Sequence, residues 1–259
     1  MKPISIQLYS LRDMSEMDFA GVIREVGEIG YAGVEPAGFY GQAPASLKRM
    51  VEDHGMVISS SHGPWASPAN LSEVMDTAAA LGVDLVSSGF DPEEYADRDA
   101  IRRTADKVNG MEEVLSRAGL TLFLHNHWWE FEMLAGPASA PSARVLKYDL
   151  FAELAPKVSF EIDTYWAANF GANDPVAVVK KFAPRTPLLH IKDGPLVKDK
   201  PMVAVGSGKM PTKKVIAAAD PDVLRWLVVE LDSCATDMLQ AVRESYDWLT
   251  REGLARGRR

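Results

Sequence analysis

The residues that stand out for their chemistry are His125, His127 and Glu130, which follow directly on the largely apolar run 120–124. A run that does not alternate between polar and apolar residues is typical of a strand buried on both faces. Imidazole and carboxylate groups are costly to bury without partners, so three of them within six positions indicate the mouth of a functional site.

Similar side chains recur at the ends of other predicted strands, so that four of the five histidines in the chain lie at predicted strand ends. The candidates at these ends are Gln7, Tyr9, Glu35, His62, Asp163, His190, Lys192, Glu230 and Asp232. A set of three carboxylates and one imidazole suits a divalent ion of borderline hardness, and this set consists of Glu130, Asp163, His190 and Glu230. We expect Mn²⁺ there, with Mg²⁺, Co²⁺, Fe²⁺ and Zn²⁺ as alternatives.

A repeated unit of amphipathic helix, glycine and short apolar strand must position these groups. Gly30, Gly55, Gly82 and Gly119 each precede a predicted strand, at the point where a helix end favours a left-handed residue. Eight such strands alternate with helices, which predicts an α/β protein with a (β/α)₈ TIM barrel as a single domain over residues 1–259. A doubly wound open sheet is the alternative, but no Gly-x-Gly-x-x-Gly turn follows the first strand to support dinucleotide binding.

The second half of the chain is predicted to contain helices at about 147–154, 174–183, 211–219 and 236–250. Two long loops, 131–145 and 194–211, follow strand ends. In barrels that edge carries the active site, and we expect loops of this length to act as lids.

Composition excludes several classes of protein. The formal charge of −8 argues against nucleic-acid and anionic-membrane partners, and the single Cys234 excludes an intramolecular disulfide or a thiolate metal cluster. No segment is apolar enough to span a membrane, and the N-terminus is typical of a strand rather than a signal peptide, so we expect a cytoplasmic protein. Whether the chain forms a homo-oligomer stays open.

Five segments, 125–131, 160–163, 190–193, 205–208 and 229–232, resemble the xylose isomerase-like TIM barrels, a family of sugar and sugar-phosphate isomerases and epimerases. The resemblance implies a metal tetrad of Glu130, Asp163, His190 and Glu230. In the ketose 3-epimerase branch a Glu ends the fifth strand where this chain has His125, so His125 and Glu132 are alternatives to Glu130. The His-Asn-His-x-x-Glu-Phe form is similar to the branch that includes inosose dehydratases and enzymes acting on 3-keto-glycosides, which implies His127 as a general base.

The expected function is that of a sugar isomerase or epimerase that removes a proton next to a carbonyl, with a metal ion stabilising the resulting enediolate. His127, Glu130, Glu230 and Lys192 are the predicted catalytic residues. Substrate contacts are predicted for Gln7, Glu35, His62, His125, Trp128 and Trp166. The alternative is a lyase or dehydratase on an unphosphorylated keto-sugar, keto-inositol or 3-keto-glycoside. A non-catalytic sugar-binding barrel and an abasic-site endonuclease are more distant rivals.

Overall fold

A computed structural model describes residues 1–136 and 144–258 of the chain. The strands are β1 (Lys2–Gln7), β2 (Gly33–Glu35), β3 (Val57–Ile58), β4 (Leu85–Ser88), β5 (Thr121–His125), β6 (Met133–Leu134), β7 (Val145–Leu146), β8 (Ser159–Asp163), β9 (Leu188–Ile191), β10 (Trp226–Val229) and β11 (Ala255–Arg256). The α-helices are α1 (Arg12–Ile29), α2 (Pro44–Asp53), α3 (Leu71–Leu81), α4 (Arg98–Arg117), α5 (Lys147–Leu154), α6 (Thr164–Ala167), α7 (Pro175–Phe182), α8 (Thr212–Ala218) and α9 (Met238–Arg251).

The predicted (β/α)₈ barrel is confirmed, and its strands pair in the order β3-β2-β1-β10-β9-β8-β5-β4. These pairs are all parallel, so the carboxyl ends of the strands meet on one side of the sheet. No ladder among the described residues joins β3 to β4. Ala66, in the segment after β3, bridges this gap by donating its N–H to the Ser87 carbonyl at 2.8 Å and accepting a hydrogen bond from the Ser88 hydroxyl at 2.8 Å.

The helical and glycine patterns located most elements to within a few residues. Predicted helix 147–154 coincides with α5, and Gly30 and Gly82 end α1 and α3 in the left-handed conformation. The third strand, predicted to end at His62, is shorter in the structure and comprises Val57–Ile58. Beyond it, the N–H groups of Ser59 and His62 still donate to the Val34 and Pro36 carbonyls. The middle of the predicted lid 131–145 lies outside the described residues, and its two ends pair as the antiparallel strands β6 and β7. None of the described helices has the length and apolar character needed to cross a bilayer.

Layers of side chains inside the barrel explain how the site is built. Leu85, Phe123, Leu188 and Val228 form a small apolar cluster separate from the main core. Side chains two positions apart on a strand share a face, so the next residues toward the carboxyl ends point to the same side. From β5, β9 and β10 these are His125, His190 and Glu230, which form a polar layer directly above the apolar cluster.

Candidate active site

His190 lies at the centre of the polar layer and is fully buried. Its Nδ1 is 2.7 Å from Oε2 of Glu230, and its Nε2 is 2.8 Å from Oε1 of Glu35 and 3.1 Å from Oε1 of Glu161. Burial alone would lower the pKa of His190, but the three carboxylates outweigh burial and raise it well above its usual value. This imidazole is therefore held rigidly by acidic neighbours on both sides.

Gln7 and Glu35 lie on the Nε2 side of His190, opposite Glu230. Oε1 of Glu35 accepts a hydrogen bond from Nε2 of Gln7 at 2.7 Å, and its Oε2 accepts one from the Ser60 hydroxyl. Burial and the nearby Glu161 charge raise the pKa of Glu35. Both predicted substrate contacts are fully buried and are not among the residues that line the main cavity described below. Their contacts instead fit residues that fix the orientation of the central imidazole.

Glu161 was not among the site residues selected from the sequence, yet it lies at the same centre. Its Oε2 is 2.5 Å from Nε2 of His62 and 3.2 Å from Nδ1 of His125. Burial raises the pKa of Glu161. The nearby His190 and His62 lower it by a larger amount, so the net pKa lies well below its usual value. The available signal was its position two residues before Asp163, which places both carboxylates on the inward face of β8.

The fifth-strand group that joins the predicted ligands is His125 rather than Glu130. Ligand atoms of His125, Asp163, His190 and Glu230 all lie within 4.8 Å of one another. Glu130 belongs to a short 3₁₀ turn after β5, and its Oε2 accepts the backbone N–H of His127 at 3.0 Å. Burial raises the pKa of Glu130 to about 8, so a neutral carboxyl is favoured at pH 7.

Glu132, the other alternative ligand, also points elsewhere. Its Oε2 is 2.7 Å from Nζ of Lys147, outside the central cluster. Of the three candidate ligands on this segment, Glu130 and Glu132 thus contact other partners, and only His125 lies in the central cluster.

The donor types of this tetrad suit a divalent ion, which would take the place of one of the carboxylate contacts of His190. Oδ1 of Asp163 accepts the N–H groups of Tyr165 and Trp166 at 3.0 and 2.9 Å, which caps α6. Its buried Oδ2 is left free by the cap and lies 2.8 Å from Nζ of Lys192. Because Glu161 engages Nδ1 of His125, the Nε2 atom is the one left for a metal, an arrangement common for ligating imidazoles.

A second group of residues, His62, His125, Glu161 and His190, is equally compact. It offers one carboxylate, whereas the tetrad with Asp163 and Glu230 offers two to balance a divalent charge. The tetrad is therefore the better match to a divalent ion, with Glu161 and His62 lying beside it.

Asp163 is positioned by a side chain outside the predicted set. Oδ1 of Asn126 accepts the Asp163 N–H at 3.0 Å, and Nδ2 of Asn126 donates to the Asp163 carbonyl at 3.2 Å. This pair of bonds ties the ends of β5 and β8 together. Burial raises the pKa of Asp163 to about 6, against the opposing effect of the Lys192 charge.

Lys192 is almost completely buried among three carboxylates. Its Nζ lies 2.8 Å from Asp163, 2.7 Å from Glu230 and 2.7 Å from Asp232. Burial disfavours the ammonium form, but these three charges outweigh it and raise the pKa of Lys192 well above its usual value. A permanent positive charge therefore lies beside the tetrad.

The neighbouring Asp193 faces away from this cluster and holds the following loop. Its carboxylate accepts the backbone N–H groups of Gly194, Gly206, Gly208 and Met210 at 2.8 to 3.0 Å. The long loop 194–211 is consequently anchored at its base rather than free to swing from its ends.

A cavity of about 530 Å³ opens onto the site. Its walls are formed by Tyr9, Ala37, Gly38, His62, Gly63, Trp65, His125, His127, Glu230 and Asp232. Nδ1 of His127 is enclosed and has no hydrogen-bond partner in the described part of the chain, and the ring stacks on Trp129 at 4.2 Å. Burial, with the nearby Lys192 charge, lowers the pKa of His127 to about 4, so this imidazole is neutral at pH 7.

The two tryptophans expected to contact substrate line a different cavity, of about 430 Å³. Trp128 and Trp166 form its walls together with Phe170 and part of the 194–211 loop. Asp232 lines both cavities, so the two are neighbours.

The fold and the polar layer define a parallel barrel with a metal-type ligand set at the carboxyl ends of its strands. The chain belongs to the xylose isomerase-like TIM barrel family, whose model matches residues 23–252. The expectation drawn from the sequence segments is thereby confirmed at the level of the family.

Among solved structures, the chain is similar to a sugar phosphate isomerase/epimerase from Parabacteroides distasonis, with 25% identity, a TM-score of 0.80 and coverage of 98% of this chain and 96% of the other. D-psicose 3-epimerase from Clostridium cellulolyticum shares the fold at 17% identity, with a TM-score of 0.70 and coverage of 99% and 100%. Inosose dehydratase from Klebsiella pneumoniae is 21% identical over 207 residues, which are 69% of this chain and 65% of that protein. The match thus spans less than two thirds of the curated relative. Similar proteins therefore include both epimerases and dehydratases.

Proposed function

We propose that this chain is a divalent-metal-dependent enzyme that removes a proton next to the carbonyl of an unphosphorylated sugar, as an isomerase or epimerase. The observation that carries the proposal is the proximity of two features. A compact tetrad of His125, Asp163, His190 and Glu230 adjoins the cavity whose wall also presents the neutral imidazole of His127. Metal ligands and a base beside one cavity are the minimum that such proton transfer requires.

The donor set of two imidazoles and two carboxylates supports Mn²⁺, Fe²⁺, Co²⁺ or Zn²⁺ over Mg²⁺, which prefers oxygen ligands. We retain Mn²⁺ as the expected ion. When bound, such an ion supplies Lewis-acid polarisation of a carbonyl, which contributes several kcal/mol of transition-state stabilisation.

His127 is the proposed base. Because its Nδ1 is enclosed by protein, Nε2 is the atom left to accept a proton from a substrate in the cavity. Stacking on Trp129 fixes the plane of the ring, so its direction of approach is set before substrate binds. Glu230 is the alternative base, although its Oε2 already contacts His190 and Lys192.

Asp232 completes the wall beside Glu230, and Lys192, buried behind it at 2.7 Å, adds a positive charge next to the cavity. That charge favours negative charge developing on substrate oxygens. Return of a proton to the opposite face of the same carbon gives an epimer, and its return to the next carbon gives an isomer.

A second candidate is a lyase or dehydratase acting on a keto-sugar, keto-inositol or 3-keto-glycoside. The similarity to inosose dehydratase favours it. Both candidates begin with the same proton removal and differ in the step that follows.

The test is incubation of the Mn²⁺-loaded protein in D₂O with ketoses, inososes and 3-keto-glycosides, followed by NMR and mass spectrometry. We expect deuterium in the substrate or in an isomeric product of unchanged composition. Loss of water from the product would establish the dehydratase instead. Absence of exchange across the panel would favour a non-catalytic sugar-binding barrel, and cleavage of an abasic DNA duplex would favour the endonuclease.

A further inference from the structure

We propose that the second cavity, of about 430 Å³, is a subsite for a second sugar ring, so that the substrate is a glycoside of at least two rings. The proposal rests on the proposed function for the position of the reacting ring in the first cavity. The two cavities share Asp232, and Lys192, which is bonded to Asp232, lies 5.4 Å from the ring centroid of Trp166. The two linings thus meet at Asp232, which Lys192 holds in place.

Aromatic side chains form the walls of this second cavity. The Phe170 ring lies 5.9 Å from both the Trp128 and Trp166 rings, at 50° and 73° to them. These rings offer apolar faces of the kind that cover the C–H face of a sugar.

The backbone around this aromatic group is unusual. Phe170 has a φ of +55° and Asn169 a φ of +41°, a left-handed conformation that residues other than glycine rarely adopt. Side-chain amides of Asn169 and Asn173 both donate to the Phe131 carbonyl, at 3.1 and 3.0 Å, and hold the turn. Non-glycine residues kept in such conformations cluster at ligand sites, and here the turn presents a ring to the cavity.

The charges lining the cavity favour a neutral polyhydroxylated ring over a phosphate. Lys198 and Lys200 are balanced by Asp199 and Asp232, so an anion would meet two carboxylates together with the two ammonium groups. Sugar hydroxyls both donate and accept hydrogen bonds and can use groups of either sign. Nζ of Lys198 also lies over the Trp128 ring, 4.7 Å from its centroid, and is already partly engaged.

The experiment is titration of the full-length, Mn²⁺-loaded protein with glucose, glucose 6-phosphate and four disaccharides of different linkage (cellobiose, maltose, sucrose and trehalose), followed by calorimetry or ligand-detected NMR. We expect at least one disaccharide to bind about ten-fold more tightly than glucose. In Phe170→Gly, which removes the ring and tolerates the positive φ, the ratio of the two affinities should fall toward one. Met17→Ala, at a side chain 81% exposed on α1, is the matched control and should keep the wild-type ratio.

Equal binding of glucose and all four disaccharides, or an unchanged ratio in Phe170→Gly, would overturn the subsite. Tighter binding of glucose 6-phosphate than of any disaccharide, lost in Lys198→Met, would replace it with an anion site. If Phe170→Gly fails to fold, Trp128→Leu provides the same comparison. Because binding rather than turnover is measured, a missing deuterium exchange overturns the proposed function without altering this ratio.

Discussion

The ammonium nitrogen of Lys192 lies 2.8 Å from Oδ2 of Asp163, the carboxylate oxygen that the α6 cap leaves available. The same nitrogen contacts Glu230 and Asp232, so one buried positive charge is shared by three carboxylates. Two of these carboxylates belong to the proposed metal tetrad. The lysine and a metal ion bound by the proposed tetrad would therefore neutralise overlapping sets of charges.

Replacing Lys192 by Met should destabilise the chelator-treated protein by about 3–5 kcal/mol, because it leaves buried carboxylates uncompensated. Added Mn²⁺ should recover more stability in this variant than in wild type, since the ion then supplies the missing charge. Urea unfolding with and without Mn²⁺ measures both effects. Lys48→Met, in an exposed pair with Glu52, should change stability by less than about 0.5 kcal/mol. An equal loss of stability in Lys192→Met and Lys48→Met would contradict this role for Lys192.

The strand-five ligand can be identified by metal analysis of two variants. His125→Gln should lower the bound metal from about one ion per chain by ten-fold or more after dialysis, whereas Glu130→Gln should retain it. The reason is that Glu130 is bonded to the backbone of His127, while His125 lies within the tetrad. His54→Gln, at the end of α2, is the remote control. Loss of the metal in Glu130→Gln with retention in His125→Gln would show instead that Glu130 is the ligand.

Loss of the proposed base should separate chemistry from metal binding. His127→Gln should slow solvent deuterium exchange into substrate by about 10²–10⁴-fold, because a positioned base contributes this much to proton transfer. Metal content should stay at the wild-type level, since His127 is outside the tetrad. Exchange at the wild-type rate in this variant would assign the proton transfer to Glu230.

Glu130 should make stability depend on pH in a defined direction. Its pKa is raised from 4.5 to about 8, so the unfolded chain ionises first and stability falls as pH rises between these values, by up to about 1.4 kcal/mol per pH unit. Glu130→Gln removes this loss, and its free energy of unfolding should exceed that of wild type by a margin that grows from pH 5 to pH 8. Glu153→Gln, at an exposed position of α5, should show no such growth. A margin independent of pH would mean that Glu130 ionises freely in the folded protein.

The barrel could be predicted because its elements are specified locally. Helical periodicity and glycines such as Gly30 and Gly82, which take positive φ at helix ends, depend only on neighbouring residues. Parallel strands then gather their carboxyl ends, which is why Asp163, His190 and Glu230 could be grouped from positions far apart in the chain.

The rest of the site depends on directions that spacing alone does not give. Glu130 is near the end of β5 in sequence, but the 3₁₀ turn at Trp129–Phe131 directs it back onto His127. Glu161 stands among the apolar residues of β8 and resembles a core position until its inward face is known. Trp128 and Trp166 line a second cavity together with Phe170, whose ring centroid lies 5.9 Å from each of theirs.

The central claim is that one divalent ion is held by His125, Asp163, His190 and Glu230. The most direct measurement is anomalous diffraction from a Mn²⁺-soaked crystal, collected on both sides of the manganese absorption edge. The account predicts a single strong peak about 2.0–2.4 Å from a ligand atom of each of these four side chains. A peak coordinated by Glu130 in place of His125, or by His62 and Glu161 in place of Asp163 and Glu230, would contradict it.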